Sequence, residues 1–380
     1  MNPQDTMSLL KEYADGLLQS SSAAHPAWNI EMQRSGNPNK WNYIDGCMIT
    51  AVLALHEITG EEKYFAFAKE FMDWFVQPGG SIHTSDAQED ILSTINPAKN
   101  LFKLYARTGE EKYRKALAVV RSQLETMPRT AAGNFWHKKI YPWQVWLDGL
   151  YMAQPFYMQY ETQFNGMRGC RDSFLQFANV EKLMKRPDGL YCHGYDESRA
   201  MYWANRKTGC SPNCWLRALG WFIVALVDTL EVTDEQMYYE YRTLQKMLRN
   251  LADAVLPWQQ QNGMFCQIVD KPGEKGNYHE TSGTALIAYA LLKAARLGFL
   301  PPKYLPFARR AFFGTAQKYL ARTAGGQLQL GGICLVAGLG GEEHRDGSLA
   351  YYFSEPVVQN EAKGVAPMLL AYTEILRAGV

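Results

Sequence analysis

The chain has 380 residues, 47% of them hydrophobic and 20% charged, a composition that builds a core and excludes disorder. Its 39 Lys and Arg against 38 Asp and Glu leave a net charge of +1, which excludes a nucleic-acid binder working through a basic surface. No apolar run reaches the ~20 residues of a membrane helix, MNPQDTMSLLKEYADGL lacks the basic-then-apolar pattern of a secretion signal, and seven cysteines without a regular framework fit a reduced, cytoplasmic setting away from membranes.

Helices are expected along the whole length, and they repeat. MSLLKEYADGLL near the N-terminus is the first. TGEEKY at 59–64 returns at 108–113. Each copy follows an apolar segment (ITAVLALHEI, then AKNLFKLYAR) and precedes another (FAFAKEFMDWF, then RKALAVVRSQL), so each unit reads helix, short turn, helix. In the second copy Tyr113, Ala116, Leu117, Val120 and Leu124 recur at the spacing of one helix face. The same layout returns at 155–177, 221–244 and 284–312. The first helices of the hairpins are expected to begin near Asp45, Pro97, Asp148, Trp215, Ser282 and Gly364, about 50 to 80 residues apart. The last of them, VAPMLLAYTEIL, has no partner after it, and the N-terminal helix can supply one. Six hairpins closed in this way make an all-α (α/α)6 barrel, a single domain over 1–380. An open solenoid is the alternative. GMFCQIV and GGICLVA read as short loop hairpins.

In such a barrel the inner helices run the same way, and their N-terminal ends line one mouth. The segments leading into them are rich in chemistry: WNYID, HKKIYPWQVWLD, LYCHGYDESRAMYWANRKTGCSPNCWLRALGW, NYHETSG and RDGSLAYYFSEPVVQNEAKG. Five of the seven His (His83, His137, His193, His279 and His344) fall in these connections. Aromatics, His, Arg and Asp gathered at one mouth suit a sugar-sized pocket. Asp148 interrupts the apolar VWLDGLYMA, and burial there should raise its pKa, as a general acid requires; a helix N-cap is the other reading. Asp45 holds the equivalent place in YIDGCM, again as cap or acid. Arg217, between Trp215 and Trp221, can clamp a carboxylate or form an ordinary salt bridge. His137 and His193 lie in no metal-binding pattern, and Cys210 and Cys214 lack a second pair, so no metal or other cofactor is expected.

WLDGLYMAQPFY, GLYCHGYDESRAMYWANRKTGCSPNCWLRALGW and ICLVAGLGG…RDGSLAYYFSEPVVQNEAKG resemble the unsaturated rhamnogalacturonyl hydrolases, glycoside hydrolase family 105. The resemblance runs from about Trp41 to the C-terminus. It implies an (α/α)6 barrel and a substrate left by pectate-type lyases, an oligosaccharide whose non-reducing uronic acid carries a C4=C5 double bond. It also implies that Asp148 protonates C4 of this enol ether, that a cation forms at C5, and that Asp148 then deprotonates the water that adds there. The hemiketal opens and the glycosidic bond breaks as a consequence, so the usual two-carboxylate arrangement is not required. The resemblance further gives contact roles to Tyr43, His137, Trp146, His193, Trp215, Arg217 and Trp221, with Arg217 facing the uronate carboxylate or a hydroxyl and the Trp rings stacking on sugar faces.

One position departs from the family. An acidic residue usually stands shortly before the I-N-P segment, where this chain reads ILSTINPAKN with Ser93 and Thr94. A substitute carboxylate would be Asp45, placed by the repeat, or Asp90, slightly upstream; otherwise Ser93 or Thr94 hydrogen-bonds the substrate in a pocket shifted toward a different uronyl partner. Two other functions compete with the hydrolase: a sugar epimerase, which would use His137 and His193 as bases across the pocket, and a carbohydrate-binding paralogue without turnover.

Overall fold

The computed structural model describes residues 2–85 and 91–379. In chain order its helices are α1 (Pro3–Gln19), α2 (Ile30–Ser35), α3 (Tyr43–Thr59), α4 (Glu62–Phe75), α5 (Lys99–Thr108), α6 (Glu111–Thr126), α7 (Leu147–Phe164), α8 (Cys170–Leu183), α9 (Leu216–Val232), α10 (Tyr238–Val255), α11 (Thr281–Arg296), α12 (Leu305–Tyr319), α13 (Leu349–Ser354) and α14 (Ala362–Arg377). No helix among the described residues is long and apolar enough to cross a membrane.

α3, α5, α7, α9, α11 and α14 form an inner ring that closes where α14 packs on α3. Phe102 of α5 meets Phe156 of α7 with 5.6 Å between ring centroids. Outside the ring, α4, α6, α8, α10 and α12 each lie against the inner helix before them, and α1 lies against α14 and α12. The fold is therefore the closed (α/α)6 barrel, and the N-terminal helix is the partner of the last inner helix. The sequence explains the two layers. In α9, 14 of 17 residues are buried, as in a helix that is apolar all round. α6 instead buries one face, including Tyr113, Ala116, Leu117, Val120 and Leu124.

The TGEEKY repeat works through the same atoms in both copies. Gly60 (φ 71) and Gly109 (φ 68) end α3 and α5 in the left-handed conformation that glycine adopts without strain. Each N–H donates to the carbonyl four residues back, on His56 and Tyr105, at 2.8 Å. Beyond the turn, Tyr64 donates to Asp15 at 2.8 Å and Tyr113 to Asp73 at 2.5 Å. Lys63 and Lys112 pair with the same two carboxylates, each at 2.8 Å. One motif thus ties α4 to α1 and α6 to α4, which carries the outer layer across the ring closure.

Three short antiparallel pairs decorate the barrel: β1 (Gln144–Trp146) with β2 (Gly194–Asp196), β3 (Leu320–Arg322) with β4 (Leu328–Leu330), and β5 (Ile333–Cys334) with β6 (Val357–Val358). GGICLVA therefore pairs with a distant segment instead of folding into its own hairpin. GMFCQIV makes only isolated bridges, Trp215 to Ile268 and Cys266 to His279.

Candidate active site

β1 runs directly into α7, and its pairing with β2 sets Trp146 opposite Gly194. The His193 carbonyl accepts the Leu147 N–H at 3.1 Å. These backbone bonds bring two mouth connections together and create the central pair. Asp148, the second residue of α7, is 8% exposed, and His193 is fully buried. His193 Nε2 lies 3.4 Å from Asp148 Oδ2. Neither atom has a hydrogen-bond partner among the described residues, so the contact is a loose one. Asp148 is not the cap: Trp146 occupies that position and no side chain caps α7.

The expected direction of the Asp148 pKa is corrected by this geometry. Burial does push the carboxyl up, but the adjoining His193 outweighs it and leaves the carboxyl below the ordinary range. His137 contributes little of this pull. Burial drives its own pKa down to about 3, so its ring is neutral above that pH.

Aromatic rings wall the pair. His137 stacks on Trp146 at 4.3 Å and 14°, and Tyr141 stacks on Trp146 at 5.1 Å and 17°. His193 packs between Trp146 (5.6 Å) and Trp215 (4.9 Å). Deeper in the barrel Trp221 stacks on Tyr151 at 4.4 Å, and Tyr43 meets its edge at 6.4 Å. Trp146, Trp215 and Trp221 are all buried and already packed on protein rings, so they act as walls more than as open platforms for a sugar face. His137 and His193 both pack on Trp146, His137 on its face and His193 edge-on.

Arg217 is the second residue of α9 and only 1% exposed. Its guanidinium donates to the backbone carbonyls of Cys334 and Leu335 and lies over the Trp215 ring at 4.9 Å. No carboxylate among the described residues reaches it at salt-bridge distance. Glu280 and Glu361 act on it from farther away. Both are engaged elsewhere: Glu280 accepts from the N–H groups of Ser282, Gly283 and Cys334, and Glu361 accepts from Ile30 and pairs with Lys363. The salt-bridge alternative for Arg217 is therefore not what forms.

The two candidate substitute acids part company. Asp45 accepts from Trp28 Nε1 at 2.8 Å, Asn39 Nδ2 at 2.7 Å and Asn42 Nδ2 at 3.0 Å. Burial still pushes its pKa up to about 6. It does not cap α3, since Asn42 does, by accepting from the Asp45 N–H at 2.9 Å. Asp90 lies outside the described residues. Ser93 is half-buried on a 3-10 turn, Leu92–Thr94, that packs on α7.

Sequence reasoning missed two groups, Tyr352 and Lys363. Tyr352 donates to or accepts from His193 Nδ1 at 2.7 Å. Lys363, the second residue of α14, is buried and pairs with Glu31 and Glu361. Its signal was legible, because a cation in the first turn of a helix opposes the helix dipole, as Arg217 also does. Tyr43 lies within electrostatic reach of Glu31, Lys363, Arg217 and Asp148 alike. A surface hollow of about 940 Å³ along α1 contains none of these groups.

The model of Glycosyl Hydrolase Family 88 matches residues 18–379. The chain is similar to a Clostridium acetobutylicum glycoside hydrolase from family 105, with 39% identity, a TM-score of 0.89, and coverage of 97% of this chain and 98% of that one. It is 41% identical over 232 residues to the 24.9 kDa protein in picA locus of Rhizobium radiobacter, covering 59% of this chain and 98% of that protein. The unsaturated glucuronyl hydrolase of Bacillus sp. GL1 has the same fold at 16% identity, a TM-score of 0.70, and coverage of 98% of this chain and 97% of that one.

Proposed function

This chain belongs to glycosyl hydrolase family 88, and from that premise we propose that it removes a non-reducing-end unsaturated uronic acid from pectin-type oligosaccharides left by a lyase. One observation carries the reading. Arg217 is a buried cation with no carboxylate partner among the described residues, set over Trp215 in the same aromatic wall that holds His193 against Asp148. A buried charge without a counter-ion favours an anionic ligand, and the uronate carboxylate is that anion.

Asp148 is the proton donor to C4, and a cation develops at C5. The carboxylate left behind takes a proton from the water that adds at C5, and the resulting hemiketal opens with loss of the leaving sugar. One proton goes to carbon and one returns from water, so a single acid/base residue completes the cycle, contributing ~10²–10⁴-fold. Against burial, His193 keeps the Asp148 carboxyl below the ordinary range. A bound uronate adds negative charge and excludes water, and both changes raise the carboxyl pKa toward the protonated form the first step needs.

A second carboxylate is not required by this chemistry, nor is a metal or cofactor. Asp45, tied to three donors, serves structure instead. In this reading residues 1–380 act as one catalytic domain. A cytoplasmic setting is supported by the seven cysteines, all unpaired. The pectin-type substrate and the unsaturated uronyl group rest on the family 105 resemblance of the WLDGLYMAQPFY and GLYCHGYDESRAMYWANRKTGCSPNCWLRALGW segments. The test is a panel of lyase products with galacturonyl and glucuronyl ends, followed through the ultraviolet absorbance of the conjugated double bond. Turnover of the galacturonyl members is expected; turnover of glucuronyl members alone would reassign the substrate, and no turnover of any would overturn the reading.

A further inference from the structure

The hydroxyl of Tyr352 lies 2.7 Å from His193 Nδ1, on the side of the ring opposite the nitrogen that faces Asp148. Tyr352 sits on α13 and is fully buried, as is His193. Its ring lies parallel to Trp215 (6.1 Å, 23°). Its N–H donates to the Ser348 carbonyl at 3.1 Å, and its carbonyl accepts from Gln267 Nε2 at 3.0 Å. Neither rotation of the phenol nor withdrawal of α13 is open to it without breaking these contacts. The line Tyr352–His193–Asp148 is therefore held from both ends.

We propose that Tyr352 is a positioning residue for the hydration reaction: it fixes the His193 ring so that Nε2 faces Asp148 and the Asp148–His193 pair holds the one proton that is delivered to the substrate. This rests on the hydrolase reading above. A phenol can donate or accept, so the same hydroxyl satisfies Nδ1 whichever tautomer His193 adopts. With His193 carrying both protons, Nδ1–H donates to Tyr352 and Nε2–H faces the carboxylate. When a uronate enters, the Nε2 proton passes to Asp148 Oδ2 and from Asp148 to C4. The added water then returns a proton to the pair. Tyr352 itself stays neutral, since burial raises its pKa well above the ordinary value.

The titratable groups around this line are few. Asp148 and His137 face His193. Lys138 and Arg345 act on His137. Tyr351, Cys214 and Cys334 surround Tyr352. None of these replaces the phenol as the partner of Nδ1.

The test compares wild type, Tyr352→Phe, His193→Gln and the double variant on an unsaturated disaccharide. Tyr352→Phe keeps the ring packing and removes only the hydroxyl. It is expected to lower kcat about tenfold, the loss of one hydrogen bond, with KM within about twofold, and to move the alkaline limb of the rate profile to lower pH by on the order of one unit. In the His193→Gln background the same change should cost nothing further. An unchanged kcat and profile, or an equal loss in the His193→Gln background, would overturn the proposal. A lowered melting temperature with an unmoved profile would also overturn it, as a packing effect alone. Imidazole nitrogen NMR of His-labelled protein gives an arm independent of turnover. The pH at which the Asp148–His193 pair gives up its proton should fall in Tyr352→Phe, and an unchanged titration contradicts the proposal. If wild type consumes no unsaturated substrate, the hydrolase reading fails while the NMR result still decides the role of Tyr352.

Discussion

The indole of Trp28 donates to Asp45 Oδ1 at 2.8 Å, and this bond separates the two acids that stand at the starts of inner helices. Asp45 is turned toward the segment before α3, where Asn39 and Asn42 complete its ligation. Asp148, at the matching point of its hairpin, has no such side-chain donors among the described residues and lies beside His193. Equivalent positions in the repeat thus sit in different surroundings, a cage of three donors in one case and a buried imidazole in the other.

Asp45→Asn should leave kcat within about threefold of wild type, because the side chain is remote from proton delivery. Its signature is in stability. The folded pKa of about 6 lies above the ordinary 3.8, so the folded state takes up the proton more readily than the unfolded one. The associated stability is complete below about pH 4 and is lost as pH rises through 6. Urea unfolding of wild type should therefore weaken across that window relative to Asp45→Asn, by up to about 3 kcal/mol. Parallel stability curves would contradict the assignment.

Asp148→Asn keeps size and removes the transferable proton. Turnover should fall at least ~10²-fold with melting temperature little changed. Activity near wild type would leave Asp148 without a role in proton transfer.

Gly149 follows Asp148 at a close approach. A Cβ there would lie 2.9 Å from Leu92 Cδ1 and 3.2 Å from His137 Nδ1. Gly149→Ala should cost about 1–3 kcal/mol by overpacking and lower activity by displacing His137. Thermal unfolding and rate together check this, and a variant as stable and active as wild type would show that the contact relaxes freely.

Arg217→Lys retains the charge and loses the planar fork that reaches the Cys334 and Leu335 carbonyls. KM for an unsaturated uronyl substrate should rise about tenfold or more, equivalent to ~1.4 kcal/mol, with a smaller effect on kcat. An unchanged KM would remove Arg217 from substrate recognition.

Much of this was legible in the sequence. TGEEKY carries its own turn chemistry, with Gly60 and Gly109 as caps and Tyr64 and Tyr113 as ties to the neighbouring outer helix. The unpaired last helix announced ring closure through α1. That His137, Trp146, His193 and Trp215 would gather beside Asp148 was legible too, because the mouth of such a barrel collects the segments before its inner helices. What the sequence could not give was the pairing among them. Burial alone predicts a raised Asp148 pKa, and only the β1–β2 register that brings His193 beside it reverses the direction. Asp45 read as cap or acid, and it is neither cap nor free acid, because Trp28, in a connection with no periodic pattern, binds it while Asn42 caps the helix. Tyr352 is 159 residues from His193, in a motif where its neighbour Tyr351 is an equal candidate by composition. The Trp rings read as sugar platforms because aromatic content says nothing of which faces the protein already covers.

The proposed function turns on hydration of the double bond, with the glycosidic bond breaking as a consequence. The most direct measurement follows, on one sample of an unsaturated disaccharide, the ultraviolet absorbance of the C4=C5 bond and the release of the leaving sugar. Wild type should lose absorbance in step with sugar release, and Asp148→Asn should show neither. Sugar released by wild type while the absorbance persists would place the reaction at the anomeric carbon and contradict the account.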